Sequence, residues 1–493
     1  MLDGTSSVLA HRLQNASLLL LSLVFLPLDT FVLISSFLVA FIFPSHAGGT
    51  PRQFESATGR NSRKILVTGV GMTKGLVLAR SFYEAGHVVV GADFEPNGAL
   101  VCGRMSKSLR RFYTLRSPTT KSGSAPYIQS LLDIITNEKI DLWVSCSGVS
   151  SAVEDGMAKE IVEGRTGCKA IQFDVETTQT LHEKHTFIAH TRDIGLNVPE
   201  THEIRSRAEV ESVLRNAPPG RRYIMKTVGV DDAARGDMTL LPKSTPMETS
   251  KHLAKLRISA ESPWILQQFV KGREYCTHSL VVNGQVKAFV ACPSAELLMH
   301  YEALDPTSAL SEAMLAFTRK YAAVGGPAFT GHLSFDFMVE DDDRVLKAAD
   351  VTLYPIECNP RAHTAVALFN GTTTMADSYL SVLDKGPTTR SSNVVRPLCN
   401  DKYYWIGHDL VTRVFVPTLE FLSLQSTVRD LMRNYIDFFT HLLTWKDGTY
   451  EVWDPLPWWW LYHVYWPTKF WSCIWTGSKW SRINVSTTKM FQC

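Results

Sequence analysis

Two neighbouring runs constrain this chain most. One is Leu333-Ser334-Phe335-Asp336-Phe337-Met338-Val339; the other is Tyr354-Pro355-Ile356-Glu357-Cys358-Asn359-Pro360-Arg361. Between them lies an acidic turn, Glu340-Asp341-Asp342-Asp343-Arg344. The pattern predicts a β-hairpin with Asp336 and Glu357 side by side on its two strands. Side chains alternate along a strand, so Glu357, Asn359 and Arg361 share one face. Two carboxylates and an amide oxygen on one face suit Mg²⁺, which takes hard oxygen ligands and keeps places for phosphate. Arg361 is placed to hold a developing anion beside the metal. A solvated acidic edge is the competing reading of the hairpin by itself.

The chain has 493 residues, enough for two or three domains. Its 45% apolar and 20% charged residues make it globular, and a net charge of +2 without a basic block suggests no nucleic-acid partner. Nine scattered cysteines with no C-x-x-C pair read as reduced thiols in a cytosolic compartment, with no zinc site.

Leu18 to Phe43 is almost wholly apolar and about long enough to cross a bilayer. Pro27 and Asp29 interrupt it, and it shows no polar stripe. Three readings stand: one kinked span, two short segments folded into one leaflet, or a cleaved signal peptide. Arg52, Arg60, Arg63 and Lys64 follow the run and only Arg12 precedes it, which puts the main body on the cytosolic side. Residues 44–63 read as a linker.

From Lys64 a βαβ unit is expected: strand Ile65 to Thr68, the turn Gly69-Val70-Gly71-Met72-Thr73-Lys74-Gly75, a helix from Leu76 to Ala85, and a strand from Val88 to Asp93. A glycine turn with an acid about twenty residues on raises a dinucleotide-dependent oxidoreductase. The spacing G-x-G-x-x-x-G departs from that fingerprint. The Tyr/Lys pair four apart that a short-chain dehydrogenase needs occurs only at Tyr465 and Lys469, where Pro467 is expected to forbid a regular helix. Tyr127 to Thr136 reads as a helix and Leu142 to Cys146 as a strand. Ser147 and Ser151 then stand at a strand's C-terminal end, where ligands bind in α/β sheets. Cys146 reads as a buried thiol rather than a nucleophile.

From Thr177 the character changes. Lys184 opens a helix, Tyr223-Ile224-Met225-Lys226 is a strand that delivers a lysine, and Trp264 to Cys276 is an apolar strand followed by Gly272-Arg273-Glu274-Tyr275. Asn283-Gly284 marks a hairpin. These segments, with Phe335-Asp336-Phe337 and Glu357-Cys358-Asn359-Pro360-Arg361, resemble the ATP-grasp ligases over about residues 64–385. The resemblance implies ATP and Mg²⁺ as cofactors, with Asp336, Glu357 and Asn359 on the metal and Arg361 as the catalytic cation. It places Lys184 and Lys226 on the phosphates, Gln267 and Val270 around adenine, and Glu274 on the ribose. The loop Thr227 to Asp237 is poorer in glycine than that family's phosphate loop. Arg235 there is either a phosphate ligand or a plain surface arginine. Loops of the first unit commonly hold the non-nucleotide substrate, which implies roles for Thr73, Lys74 and Ser147, and for His363 after the E-C-N-P-R run.

The resemblance narrows further. Met72-Thr73-Lys74, Glu274-Tyr275-Cys276-Thr277-His278-Ser279, Ala362-His363-Thr364 and Asp454-Pro455-Leu456-Pro457 look like the ligases of mycosporine pathways and related fungal secondary-metabolite enzymes. Those ligases join glycine to 4-deoxygadusol, a cyclohexenone. An ordinary amide-forming ligase and a non-catalytic membrane adaptor stay as alternatives. The implied architecture is α/β and α+β: an ATP-grasp fold with a Rossmann-like first domain, a membrane segment and an aromatic tail. The expected divisions are 1–16, 17–43, 44–63, 64–176, 177–390 and 391–493. In the last, Thr412 to Arg433 is of mixed character. The tryptophan-dense run from Trp458 to Trp480 belongs either at a bilayer interface or packed on the core.

Overall fold

The computed structural model describes residues 2, 4–44, 48–52, 62–118, 123–146, 148, 151–227, 237–294, 299–340, 347–384 and 393–493. Ser147, Arg235, Arg60 and the acidic turn at 341–344 lie outside the described residues.

A 35-residue helix, α1 (Val8–Ile42), opens the chain and runs through Pro27 without a break. Five strands then form a wholly parallel sheet in the order 3-2-1-4-5: β1 (Lys64–Thr68), β2 (Val88–Asp93), β3 (Leu109–Thr114), β4 (Leu142–Val144) and β5 (Lys169–Ile171). This is the doubly wound order. The central strands are apolar on both faces because both are covered. Ile65 and Val67 pack with Val77 and Leu78 of α2 (Thr73–Glu84). Leu66 and Trp143 pack with Leu131 of α3 (Ala125–Glu138) and Val162 of α4 (Ala152–Arg165).

Two helices, α5 (Val175–His182) and α6 (Lys184–Asp193), meet at Glu183, whose extended backbone sets Lys184 at a helix start. An antiparallel sheet follows in the order 6-8-7: β6 (Thr201–Ile204), β7 (Tyr223–Thr227) and β8 (Trp264–Gln268). It carries α7 (Arg207–Asn216) and α8 (Pro246–Leu253). A second antiparallel sheet, in the order 10-9-12-13, comprises β9 (Gly272–Val282), β10 (Gln285–Pro293), β12 (Gly331–Glu340) and β13 (Leu353–Asn359). Asn283 (φ 52) and Gly284 (φ 73) give the β9–β10 turn two left-handed residues, as a primed hairpin turn requires. The helix α9 (Ala309–Gly325) covers one face of this sheet: Phe317 and Tyr321 pack on Phe335 of β12.

The C-terminal region is woven into the rest. The short strand β11 (His300–Tyr301) pairs with β14 (Tyr403–Tyr404). After α10 (Thr374–Leu380), a helical rod runs from α11 (Ile406–Asp409) through a π-helical stretch, Leu410–Phe415, into α12 (Val416–Leu422). It folds back as α13 (Val428–Thr444), so the stretch of mixed character is a helical hairpin. Asp409 ties the hairpin to the sheet side: it receives His300 Nε2 at 2.8 Å and His441 Nδ1 at 2.5 Å. Then come α14 (Leu456–Trp460), a π-helical turn and α15 (Trp466–Thr476). Pro467 stands just after the π-helical turn Leu461–Tyr465 in a continuous helical rod, so the chain is helical over Tyr465 and Lys469 but not as one regular α-helix. Trp458, Trp466 and Trp480 are buried against protein, while Trp471 and Trp475 are exposed.

The expectation of an interrupted N-terminal run without a polar stripe is corrected in two respects. The run is one helix, and Asn15, Ser22, Asp29 and Ser36 recur every seven residues, so they share a face. That face lies along the C-terminal region. Asn15 Oδ1 accepts from Trp480 Nε1 (2.9 Å), and Ser22 Oγ donates to the Tyr462 carbonyl (2.9 Å). Asp29 Oδ2 meets His463 Nε2 (2.8 Å), and Ser36 Oγ bonds the Tyr450 hydroxyl (2.6 Å). The far face, including Leu13, Leu20, Val24, Phe31 and Leu38, is exposed.

Candidate active site

The hairpin residues come together as their spacing predicts. Asp336 of β12 stands opposite Glu357 of β13, and Ser334 opposite Asn359. A β-bulge directly after Asp336 sets the unpaired residue beside the site, where bulges commonly re-aim side chains. Asn359 Nδ2 donates to Asp336 Oδ2 at 3.1 Å. Asp336 Oδ1 and Asn359 Oδ1 are both sealed from solvent and have no hydrogen-bond partner among the described residues. Buried oxygens in that state are costly unless something else satisfies them. Burial, then Glu357 and Glu274, push the Asp336 carboxyl well above the usual carboxylate range. A hard divalent cation relieves both costs together. The donor set of two carboxylates and an amide oxygen therefore fits Mg²⁺.

Two lysines face this cluster from other elements. Lys184, at the start of α6, is 3.5 Å from Glu357 Oε2. Lys226, on β7, donates to Gln267 Oε1 at 2.8 Å. Burial, then Lys184, lower the Lys226 amine to about 8, with Glu357, Glu274 and Asp336 pulling the other way. Gln267 also donates from Nε2 to Thr201 Oγ1 (3.2 Å), which fixes its oxygen toward the lysine. Val270 is buried, and Glu274 Oε1 accepts from Ser294 Oγ at 2.8 Å. The connector from β8 to β9 thus joins the two antiparallel sheets at the same cleft.

The remaining expected residues divide. Lys74 is buried and donates to the Ala362 carbonyl at 3.0 Å, directly after Arg361. Burial and then Arg361 lower its amine to about 7. His363 Nδ1 accepts from Ala365 N (3.2 Å), and burial followed by Arg361 lowers it to about 3, so it is neutral. Thr73 is not part of this group. Its N–H donates to the Ser486 carbonyl (2.9 Å), and its hydroxyl accepts from Trp405 Nε1 (3.2 Å). Ser151 is buried at the start of α4.

Sequence reasoning missed a line of polar residues on β12. His332, Ser334 and Asp336 alternate with Leu333, Phe335 and Phe337, which fill the core. His332 Nε2 bonds the Tyr379 hydroxyl at 2.8 Å, and its ring lies 5.5 Å from that of His278 on β9. His278 Nε2 and Ser279 Oγ are buried without a partner. Burial lowers His332 to about 3 and His278 well below the usual imidazole range, so both are neutral. The period-2 alternation in His332 to Phe337 was the available signal. His332, Ser334, Asp336 and His278 share one face of the sheet, while Ser279 lies on the opposite face with Leu333.

The glycine turn is filled by the chain itself. Asp93 turns inward and accepts from Gly71 N at 2.7 Å. A Cβ at Gly71 would meet Val101 at 2.7 Å. With the Ser486 carbonyl capping the Thr73 N–H, the places a dinucleotide's ribose and pyrophosphate need are taken.

The Asp454-Pro455-Leu456-Pro457 run has a structural task. Asp454 is fully buried and pairs with Arg80 Nε of α2 at 2.9 Å. It also accepts from Ser106 Oγ (2.5 Å) and Lys107 N (2.8 Å).

No protein-family model matches this sequence, and no curated protein does. Solved structures match over about two-thirds of the chain at low identity. N5-carboxyaminoimidazole ribonucleotide synthetase from Thermus thermophilus is 16% identical with a TM-score of 0.44, covering 66% of this chain and 79% of that one. The L-amino acid ligase from Bacillus licheniformis is 15% identical with a TM-score of 0.40, covering 61% and 67%. The biotin carboxylase domain of Hydrogenobacter thermophilus 2-oxoglutarate carboxylase, in complex with MgADP, is 11% identical with a TM-score of 0.47, covering 68% and 72%. At such identity and overlap the likeness assigns this chain neither a site nor a substrate.

Proposed function

We propose that this chain is an ATP- and Mg²⁺-dependent carbon–nitrogen ligase of the ATP-grasp type. The observation that carries the reading is the convergence of Lys184, Lys226, Asp336, Glu357 and Asn359 around two buried oxygens that have no hydrogen-bond partner among the described residues. Bound Mg²⁺ supplies charge neutralisation and orientation of the phosphates of ATP. Lys184 and Lys226 hold phosphate oxygens as compact charges. Gln267, Val270 and Glu274 position the nucleoside. Arg361 stabilises the anion that develops between nucleotide and acceptor.

The acceptor is a carboxylate, or an enolised 1,3-dicarbonyl acting as a vinylogous carboxylate. Its oxygen attacks the γ-phosphoryl group and ADP leaves. An amino-acid nitrogen then attacks the activated carbon and loses a proton, and phosphate departs carrying the acceptor's oxygen. Holding both reactants in one pocket makes the second attack effectively unimolecular. The cluster of Lys74, His363, His278 and His332 is the proposed acceptor site. Its neutral imidazoles bind oxygens without adding charge, and the motif resemblance favours a cyclic enolone such as 4-deoxygadusol with glycine as amine.

The protein is further proposed to lie on a membrane, with α1 flat in the interface rather than spanning. The polar stripe from Asn15 to Ser36 holds α1 to the body over roughly 30 Å, with buried ionic groups of the core behind it. A span with that body alongside would drag those groups into hydrocarbon. The opposite apolar face is free to enter one leaflet.

Mass spectrometry of the product from ATP, glycine and 4-deoxygadusol tests the chemistry. ADP and phosphate are expected only with acceptor and amine together. ADP formed with neither substrate present, or an amide from simple carboxylates alone, contradicts the enolone reading. Carbonate fractionation of the full chain against a chain starting at Gly59 tests the location. Full-length protein soluble without detergent contradicts it.

A further inference from the structure

Between α1 and the C-terminal helices lies a cavity of about 340 Å³. It falls at the lower end of the roughly 300–1,000 Å³ range of small-ligand sites. Leu18, Leu21 and Phe25 of α1 form one wall, and Val411, Phe438 and Phe470 stand across from them. Ser22, Asp29 and His463 in its lining are paired, and the buried Trp466 Nε1 is a donor with no partner among the described residues. Ser22 bonds the Tyr462 carbonyl and His463 Nδ1 (3.0 Å), and His463 Nε2 bonds Asp29 (2.8 Å). Burial lowers His408 to about 4, so it is neutral. Apart from that one donor, what the cavity offers a ligand is hydrocarbon. An apolar cavity of this kind stays dry and takes an apolar guest.

The mouth is defined by residues that both line the cavity and reach the surface. Leu28 is 55% exposed and Leu442 is 43% exposed. Both are continuous with the outward apolar faces of α1 and α13, where Leu20, Val24, Phe31, Ile436, Phe439 and Leu443 stand in the open. The helical hairpin therefore flanks α1 on the same apolar surface, and the cavity opens in that surface rather than toward the nucleotide cleft.

We propose that this cavity is a binding site for a single lipid acyl chain, entering sideways from the leaflet on which the protein lies. The inference rests on the membrane-facing reading above. The occupant is a chain and not a charged headgroup, because the lining is overwhelmingly apolar, its Ser22, His463 and Asp29 are paired with one another, and the one unpartnered donor is the single neutral Trp466 Nε1.

The test uses full-length protein delipidated in detergent, then incubated with stearic acid or with phosphatidylcholine vesicles and examined by native mass spectrometry. One ligand per chain is expected to be retained. Retention of stearic acid alone identifies a free fatty acid as the source, and retention of phosphatidylcholine a membrane phospholipid. Leu18→Phe with Val411→Phe, which fills the space, is expected to lower occupancy about tenfold or more. Leu442→Phe at the half-exposed mouth is the milder variant, tolerated by the fold, and is expected to slow uptake. ATP affinity reports folding in each. Equal occupancy in wild type and both variants, or no retention of either probe, overturns the proposal. Stearic acid retained by a protein that fractionates as soluble overturns the membrane reading and leaves the cavity site standing.

Discussion

The four-stranded sheet and the α1–C-terminal assembly are built in opposite ways. In the sheet, the proposed site is set by neighbours in sequence: Asp336, Glu357 and Asn359 fall within one hairpin and are brought together by strand pairing, and Arg361 follows in a tight turn after the strand. In the assembly, each stabilising pair joins distant parts of the chain. Arg80 and Asp454 are 374 residues apart, and Asp29 and His463 are 434 apart. The proposed carboxylate cluster is therefore set locally, while its lysines and the scaffold are set by contacts between distant segments. Variants in the first region should therefore abolish turnover and spare folding, and variants in the second should do the reverse.

The largest effect is expected from the scaffold. Asp454→Ala leaves Arg80 buried without its carboxylate, which costs about 3–5 kcal/mol. Denaturant unfolding should show that loss, and a stability within about 1 kcal/mol of wild type would mean the ion pair is not what fixes the C-terminal region. Glu357→Gln is the counterpart in the sheet. It exchanges the proposed anionic metal ligand for a neutral one and should lower turnover by roughly 10²–10³-fold with an unchanged melting curve. Ordinary turnover in that variant removes Glu357 from the site.

A smaller effect separates the two lysines' roles. Burial, then Lys184, lower the Lys226 amine to about 8. If Lys226 holds phosphate as proposed, the protonated amine is the binding form, so ATP affinity should hold below that pH and weaken as pH rises through it. The loss approaches about tenfold per unit where the free amine must first take up a proton. Calorimetric titrations between neutral and alkaline pH would show this. In Lys226→Met the affinity should be lower throughout and its pH dependence flattened. An identical pH profile in the variant would assign the titration to another group.

Legibility in the sequence followed the same division. The two strands of the hairpin and the turn at Asn283-Gly284 were readable because local pattern decides them, whereas Lys184 and Lys226 were singled out only by the resemblance to the ATP-grasp ligases. His332 and Ser334 were equally readable but were passed over, since the alternation was used only to place Asp336. The polar stripe of α1 was hidden by composition: four polar residues among apolar ones look like blemishes until their seven-residue spacing is matched to Trp480, Tyr462, His463 and Tyr450. Pro27 and Pro467 looked like breaks, yet one lies within a continuous α-helix and the other follows a π-helical turn in a continuous helical rod. The aromatic tail could not be assigned from density alone, because burial of Trp458, Trp466 and Trp480 depends on partners distant in sequence.

The central claim is that the orphaned oxygens of Asp336 and Asn359, with Glu357, take a divalent cation together with ATP. The most direct measurement is the ATP affinity of the full-length protein by calorimetry, with Mg²⁺ and then with the metal chelated. The account predicts binding at least about tenfold tighter with Mg²⁺, and loss of that increment in Glu357→Gln. The same ATP affinity with and without Mg²⁺, or no ATP binding under either condition, would contradict it.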